Sequence, residues 1–173
     1  MKRQIWLLGI IFVLLTHRAA WAATGTAIIK GTTEGSKISG KVNLMDSPDG
    51  LKISVELENV PPGAHGFHIH ENGACGEEGK AAGGHYNPDG VPHGLVFKDG
   101  VEHAHPGDFG NLLIHESGSG KFETVVPGLT LAGGKYNVAG RSFILHEKED
   151  DFGQPTGNAG GRIACGVIEA AST

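Results

Sequence analysis

Cysteines, helical repeats and basic residues are scarce in this sequence, and each scarcity argues against a class of fold, site or partner. Only two cysteines, Cys75 and Cys165, occur among its 173 residues, which is too few for a cysteine-ligated zinc finger. No segment beyond residue 22 keeps a helical 3.6-residue repeat for three turns, which argues against a helical fold. Basic residues are also few, with 14 Lys and Arg against 19 Asp and Glu. This acidic balance argues against nucleic acid or an anionic membrane as a partner.

The long apolar run of this sequence lies at its beginning. Two basic residues precede an apolar segment at 5–15, and Ala20 and Ala22 place small residues at a cleavage site. This pattern is typical of a secretory signal peptide, and the run is too short for a comfortable membrane span. We therefore expect a signal peptide at 1–22 and one exported domain at 23–173, in the periplasm or, as the alternative, secreted. The leader carries three basic and no acidic residues, so the mature chain has 11 basic and 19 acidic residues and a net charge of −8.

The two cysteines of an exported chain meet an oxidising compartment, where they allow one intrachain disulfide. This pairing is the most economical interpretation, and it would close a long loop between positions 75 and 165. An intermolecular bond and two free thiols are the alternatives that the sequence leaves open.

Short alternating segments, separated by Gly, Pro, Asp and Asn, make up most of the remaining chain and predict β-strands. The predicted strands are Thr26–Gly31, Lys37–Asp46, Leu51–Val60, Ala64–His70, Asn111–His115, Lys121–Val126, Arg141–His146 and Arg162–Ile168. Tight turn sequences join neighbouring strands, as at 47–50 and 116–120. Eight short strands without interleaved helices predict an all-β domain, either an antiparallel sandwich or a closed barrel.

Two long segments, 71–110 and 147–161, have almost no strand character. Long irregular loops in a compact domain are usually functional or disordered. The first of them contains Cys75 and four histidines, so we expect it to be tied down and functional.

The stretch Gly66–His70 predicts a metal site on a strand. Its two histidines, His68 and His70, share one strand face with their Cα atoms roughly 6.6 Å apart, so both imidazoles can reach one ion. A lone pair of this kind is more commonly part of a polar surface. Here further residues of ligand type follow it in the chain: His85, His93, His103, His105, Asp108 and His146. Histidine and carboxylate ligands suit zinc and copper.

Five motifs resemble those of the copper/zinc superoxide dismutases, in the family's order and over essentially the whole mature chain. They are G-F-H-I-H (66–70), G-G-H-Y-N-P (83–88), H-P-G-D-F-G-N (105–111), H-E-K-E-D-D (146–151) and G-N-A-G-G-R-I-A-C-G-V-I (157–168). The resemblance implies a Greek-key antiparallel β-sandwich or flattened eight-stranded barrel, an architecture known for this family. It also implies an enzyme that dismutates superoxide to molecular oxygen and hydrogen peroxide.

The resemblance implies one copper and one zinc ion per subunit. The implied copper ligands are His68, His70, His85 and His146. The implied zinc ligands are His85, His93, His105 and Asp108, so that His85 would bridge the two ions. Arg162 and His85 would be catalytic, with the guanidinium beside the open copper position. Asp150 would hydrogen-bond one ligand of each ion, in the manner of outer-shell groups, and Cys75 and Cys165 would form the family's disulfide.

The residue types suit this chemistry, because dismutation takes two one-electron steps and copper changes oxidation state whereas zinc does not. Arg162 offers a fixed fork of donors to superoxide, a small anion. The loop after His146 is shorter than in the common cytosolic members, which leaves a role of this loop in guiding substrate open. His65, His103 and His115 receive no ligand role.

The alternative function is that of a non-enzymatic copper- and zinc-binding protein with the same fold. Loss of a copper ligand or of Arg162 would indicate such a protein, and both are present. The sequence leaves subunit association open, with a homodimer and a monomer both allowed.

Overall fold

Residues that alternate between apolar and polar in the sequence alternate between buried and exposed in the fold. In the computed structural model, the second hairpin strand, Gly50–Glu58, places Leu51, Ile53, Val55 and Leu57 in the core and turns the intervening residues outward. Its turn matches the sequence expectation, because Ser47 pairs with Gly50 across a two-residue loop. The structure describes residues 22–171, so all of the expected leader except Ala22 lies outside the described residues.

Within residues 22–171, nine strands form the domain. They are β1 (Thr24–Gly31), β2 (Ser39–Ser47), β3 (Gly50–Glu58), β4 (Gly63–His70), β5 (Asp108–Ile114), β6 (Gly120–Val126), β7 (Ser142–His146), β8 (Arg162–Val167) and β9 (Glu169–Ala170). Two long loops join the strands, the first loop (71–107) and the second loop (147–161). The first loop contains a 3₁₀ turn, Lys80–Ala82, and a one-turn helix, α1 (Val96–Asp99). Neither helix within residues 22–171 has the length and apolar character needed to span a membrane.

The strands form one antiparallel sheet in the order β5-β4-β7-β8-β1-β2-β3-β6, with β9 paired to β1. Strands β5 and β6 stand at the two ends of this order, are joined by a short hairpin and pack against each other. The sheet therefore curls into a nearly closed, flattened barrel. The predicted Greek-key all-β fold is confirmed.

Apart from shifts of one or two residues at strand ends, three details differ from the sequence prediction. Strand β5 begins at Asp108 rather than Asn111, because its first residues pair with the bulged end of β4. The two-residue strand β9 was not predicted, since two residues carry no alternation signal. The two short helical turns in the first loop were not predicted either, for the same reason of length.

The disulfide Cys75–Cys165 joins the first loop to β8, which confirms the intrachain pairing. It closes a loop with a sequence separation of 90. The chain-entropy model assigns such a cross-link a stabilisation of at most about 4.6 kcal/mol.

Strands β4 and β7 have buried residues on both faces. The inner face of this pair contributes Phe67 and Phe143, whose stacked rings lie 5.0 Å apart in the barrel core. The outer face carries His68 and His70, which are buried because the two long loops cover them. The candidate site therefore lies outside the barrel, between the sheet and its two loops.

Candidate metal centre

Pairing between β4, β7 and β8 brings distant parts of the chain together. His68 and His70 lie opposite Ile144 and Ser142 on β7. At the end of β7, His146 pairs with Arg162, the first residue of β8. Because neighbouring strands are about 4.8 Å apart, this register sets two strand histidines, His146 and Arg162 around one point.

The first loop crosses the end of β4 and adds the remaining histidines. The backbone N–H of Tyr86 donates to the carbonyl of Ile69 at 2.8 Å, and the N–H of Ile69 donates to the carbonyl of Gly107 at 2.9 Å. A side chain at Gly107 would collide with the Ile69 carbonyl, so only glycine allows this approach. These bonds fix His85 and His105, which flank the two contact points.

Four imidazoles, hereafter the four-histidine group, converge on one point. They belong to His68, His70, His85 and His146 and can each offer one ligand atom, with all four atoms within 4.8 Å of one another. The Nε2 atoms of His70 and His146 are 3.4 Å apart.

The second ring nitrogen of these histidines is already engaged. Nδ1 of His70 donates to the carbonyl of Gly83 at 3.0 Å, and Nδ1 of His146 donates to that of Gly160 at 3.3 Å. Nε2 of His68 lies 2.7 Å from a carboxylate oxygen of Asp150. Such contacts orient each ring and determine which of its nitrogens remains available to bind a metal ion.

A second group, hereafter the Asp108 group, surrounds one buried carboxylate. Nδ1 of His85 lies 2.8 Å from Asp108, Nδ1 of His93 lies 2.7 Å from it and Nδ1 of His105 lies 3.1 Å from it. The four residues satisfy the same 4.8 Å criterion for a shared ion. Three nitrogens and one carboxylate make a ligand set typical of zinc.

His85 belongs to both groups. Its Nδ1 faces Asp108, so its Nε2 on the other side of the ring is left for the four-histidine group. Asp150 also connects the groups, because its carboxylate lies 2.7 Å from Nε2 of His68 and 3.0 Å from Nε2 of His93.

Two buried nitrogens test whether these residues fit metal ions. Among residues 22–171, Nδ1 of His68 and Nδ1 of His93 are the buried side-chain nitrogens or oxygens without a hydrogen-bond partner. His93 Nδ1 is close to Asp108, but at an angle unsuited to a hydrogen bond. A buried polar atom without a partner is costly. One such nitrogen lies in each group, which is the arrangement expected of ligand atoms.

Burial keeps three members of the four-histidine group, His70, His85 and His146, neutral. Burial first, and the neighbouring His85 second, lower the pKa of His70 to about 2. Burial also lowers the pKa of His146 to about 3 and that of His85 to about 4. At neutral pH these imidazoles therefore keep the lone pairs that a metal ion needs.

Opposite charges dominate the Asp108 group. Burial alone would raise the pKa of Asp108, but hydrogen bonds from His105 and His85, together with the close ring of His93, hold it well below its usual range. Burial alone would lower the pKa of His93, and the carboxylates of Asp108 and Asp150 outweigh it and raise this pKa to about 9. These ionised carboxylates favour a bound cation.

Arg162 stands at the mouth of the four-histidine group. Its Nη1 donates to the carbonyl of Gly79 at 2.7 Å, and its Nη2 donates to that of Gly83 at 2.6 Å. The N–H of Gly79 in turn donates to the carbonyl of Cys75, whose disulfide partner lies on β8. The guanidinium is thereby fixed beside a cavity of about 200 Å³ that also touches His70, His85 and His146.

Known proteins are similar to this chain in sequence over most of its length. The model of the family "Copper/zinc superoxide dismutase" matches residues 38–168. The extracellular Cu-Zn superoxide dismutase of Drosophila melanogaster is 40% identical over 147 residues, covering 79% of this chain and 78% of that protein. A Cu-Zn superoxide dismutase of Aquifex aeolicus is 39% identical over 143 residues, covering 79% and 81%.

The chain belongs to the copper/zinc superoxide dismutase family. The extracellular enzyme of Caenorhabditis elegans is 38% identical over 140 residues, and the match spans 77% of this chain but only 62% of that longer protein. A solved structure, that of the clock protein EA4, superposes with a TM-score of 0.75 at 32% identity. It covers 90% of this chain and 99% of that chain.

The histidines that the family motifs leave unassigned lie apart from the two groups. His103 and His115 are exposed, and neither belongs to a group of possible metal ligands within residues 22–171. His65 is only 4% exposed, with Nδ1 2.8 Å from the carbonyl of His146 and Nε2 2.9 Å from that of Pro61. His65 therefore supports the backbone of the site without entering it.

Two amides that sequence reasoning missed hold the two long loops in place. Asn111 donates to the carbonyl of Asp150 at 2.8 Å and accepts its N–H at 2.7 Å. Gln154 makes the same reciprocal pair with the backbone of His93, at 2.9 and 3.0 Å. Asn111 ends one of the family motifs, which was a usable signal. Gln154 had none, because glutamine is not a residue of ligand type.

A wide groove also lies away from this centre. It measures about 590 Å³ and runs across β1, β2 and β3. Among the described residues, no group of possible metal ligands lines it. The smaller cavity beside Arg162 is therefore the candidate substrate site, because possible metal ligands line it.

Proposed function

We propose that this protein is a superoxide dismutase that binds one copper and one zinc ion per chain. The observation that carries the proposal is the sharing of His85 between two four-residue groups, next to a fixed guanidinium at a small cavity. A structural zinc site alone would need only the Asp108 group and would leave the four-histidine group without a role.

We assign the copper ion to the four-histidine group and the zinc ion to the Asp108 group. Four imidazole nitrogens suit copper, and three imidazoles with one carboxylate suit zinc. When bound, copper supplies the two oxidation states that a pair of one-electron steps needs, and zinc supplies a fixed positive charge. Asp150 orients His68 and His93 and so holds one ligand of each ion.

The residues of the chain bind the substrate and handle its proton. Arg162 attracts superoxide and presents a planar fork of N–H donors to it at the cavity. His85 holds its Nδ1 against the Asp108 group, and its Nε2, beside the cavity, is the atom that can carry a proton. Nε2 of His85 can therefore deliver one proton to the reduced dioxygen, and a second proton from solvent completes the hydrogen peroxide that leaves.

The test is metal content, measured by mass spectrometry on the purified chain without residues 1–22, together with superoxide decay before and after copper is added. We expect one copper and one zinc per chain, and activity in proportion to copper. Zinc uptake without activity, even after copper loading, would instead favour the alternative of a non-enzymatic metal-binding protein of this fold.

We also propose that the chain is exported. The periplasm is the preferred destination, and secretion from the cell is the alternative. The extracellular relatives, the leader-like N-terminus and the disulfide support export. Fractionation of cells that express the full chain tests this, since removal of residues 1–22 should leave the protein in the cytoplasm. Light scattering decides between a homodimer and a monomer.

A further inference from the structure

His93 is held by three residues of one short stretch, hereafter the 150–154 segment. The carboxylate of Asp150 lies 3.0 Å from Nε2 of its ring. Gln154 contacts its backbone on both sides, because Oε1 accepts the N–H of His93 at 3.0 Å and Nε2 donates to its carbonyl at 2.9 Å. The 150–154 segment of the second loop therefore contacts both the side chain and the backbone of His93 in the first loop.

The third contact is the ring of Phe152, whose centroid lies 6.4 Å from that of His93 at an interplanar angle of 24°. Phe152 is 44% exposed and has a φ of 59°, which is unfavourable for a bulky residue. Its N–H donates to a carboxylate oxygen of Asp150 at 2.8 Å. The local fold thus keeps an aromatic ring over His93 in spite of its exposure and backbone conformation.

The two bonds to Gln154 are the backbone hydrogen bonds of His93. Within residues 22–171, its N–H and its carbonyl make no others. His93 lies in the irregular stretch between the 3₁₀ turn at 80–82 and α1, where no strand pairing fixes it. The position of the His93 backbone therefore depends on the side chain of Gln154.

We propose that Gln154 is a positioning residue that controls zinc retention through His93. This inference rests on the proposed function, which places zinc in the Asp108 group. Asp150 contacts a residue of each group, whereas the side-chain hydrogen bonds of Gln154 within residues 22–171 go to His93, which is absent from the four-histidine group. Loss of the Gln154 amide should therefore speed the release of zinc and leave copper in place.

The test compares the Gln154→Ala variant with the wild type, both loaded with copper and zinc. Zinc release into excess chelator is followed by absorbance, and copper content is measured afterwards. Removal of an outer-shell partner typically costs 10- to 100-fold in metal affinity, so we expect zinc to leave about tenfold faster or more. In protein with cobalt in place of zinc, the visible absorption bands should change as well, which reports the geometry around the ion.

Asn137→Ala is the matched control. The Asn137 amide also joins two backbone groups, donating to the carbonyl of Leu131 at 3.0 Å and accepting the N–H of Ala139 at 2.9 Å. It touches neither metal group, so its loss should lower thermal stability without faster zinc release. Gln154→Glu keeps the acceptor for the His93 N–H but not the donor, and it should release zinc at an intermediate rate. It also serves as the second variant if Gln154→Ala does not fold.

Release from Gln154→Ala at the wild-type rate, or no faster than from Asn137→Ala, would overturn the inference. In that case an active wild type with bound zinc would leave the proposed function intact. A wild-type chain that takes up no zinc would overturn the proposed function, and this inference with it.

Discussion

Arg162 and His70 donate to the same carbonyl oxygen, that of Gly83, at 2.6 and 3.0 Å. The cation that we assign to substrate binding and a ligand that we assign to copper are therefore fixed relative to each other through one backbone atom. A shift of the 83–84 backbone would move both together.

Substitution Arg162→Ala should lower kcat/KM for superoxide by about tenfold or more while copper stays bound. The variant loses the positive charge at the cavity, and members of this family are a known case of electrostatic steering. Stopped-flow rates over a range of salt concentrations test this, because the wild-type rate should fall with salt and that of Arg162→Ala should fall much less. Arg162→Lys is the charge-conserving control, which should keep the salt dependence. Equal rates and salt slopes for wild type and Arg162→Ala would contradict the prediction.

Substitution His146→Ala should abolish dismutation and largely spare zinc. His146 belongs to the four-histidine group and not to the Asp108 group. Metal analysis and a superoxide-decay assay on the same preparation measure the two effects. His103→Ala is the control, since His103 is exposed and outside both groups, and it should retain metals and activity. Full activity in His146→Ala would show that the copper assignment is wrong.

Removal of the disulfide should cost about 2–5 kcal/mol of unfolding free energy. The bond Cys75–Cys165 closes a long loop and joins the first loop to the strand of Arg162. Urea unfolding of the double variant Cys75→Ser, Cys165→Ser measures the loss, and reduced wild type should unfold at the same urea concentration. A loss below about 1 kcal/mol would contradict the entropic argument.

Metal-free protein should lose stability as the pH falls from about 6.5 to about 4.5. Histidines of an unfolded chain titrate near 6.5, whereas burial lowers the pKa of His70 to about 2, that of His146 to about 3 and that of His85 to about 4. The unfolded state therefore binds more protons in this range, and the free energy of unfolding falls as the pH falls. Each histidine contributes on the order of 2 kcal/mol over this interval.

The other shifted groups act outside that window. The pKa of His93 is raised to about 9, so its contribution is complete below about 6.5 and is lost as the pH rises through about 9. The pKa of Asp108 is lowered, so its contribution is complete above about 4 and is lost at lower pH. Urea unfolding of the metal-free protein at several pH values gives the slope of the unfolding free energy against pH. The variant His146→Gln should reduce this slope by the equivalent of about one proton. A flat profile between about pH 4.5 and 6.5 would refute the assignment of neutral buried histidines.

The sequence predicts most of this fold because strands such as β3 alternate between apolar and polar residues. Leu51, Ile53 and Val55 show the two-residue period that the barrel buries on one side. Strand β9 escapes prediction, since its two residues owe their conformation to pairing with β1 and to no pattern of their own. The early start of β5 at Asp108 escapes for a similar reason, because it depends on the bulged end of β4.

The sequence predicts those residues of the candidate site whose types and motifs are typical of metal ligands and their partners. The motifs single out His85 and Asp150, and the structure brings both to the junction of the two groups. The motifs could not reveal that Gln154 holds the backbone of His93, 61 positions away in the chain. That contact depends on how the two long loops meet, which no local pattern encodes.

The bonds around Arg162 form a closed ring. Arg162 holds the carbonyl of Gly79, whose N–H holds the carbonyl of Cys75, whose disulfide returns to Cys165, three residues beyond Arg162 on β8. The guanidinium therefore gives up its conformational freedom when the chain folds and oxidises. A small anion that enters the cavity meets a donor already in place, so little side-chain entropy is lost at the moment of capture. Formation of one disulfide between the first loop and β8 thus preorganises the site for a ligand that binds only briefly.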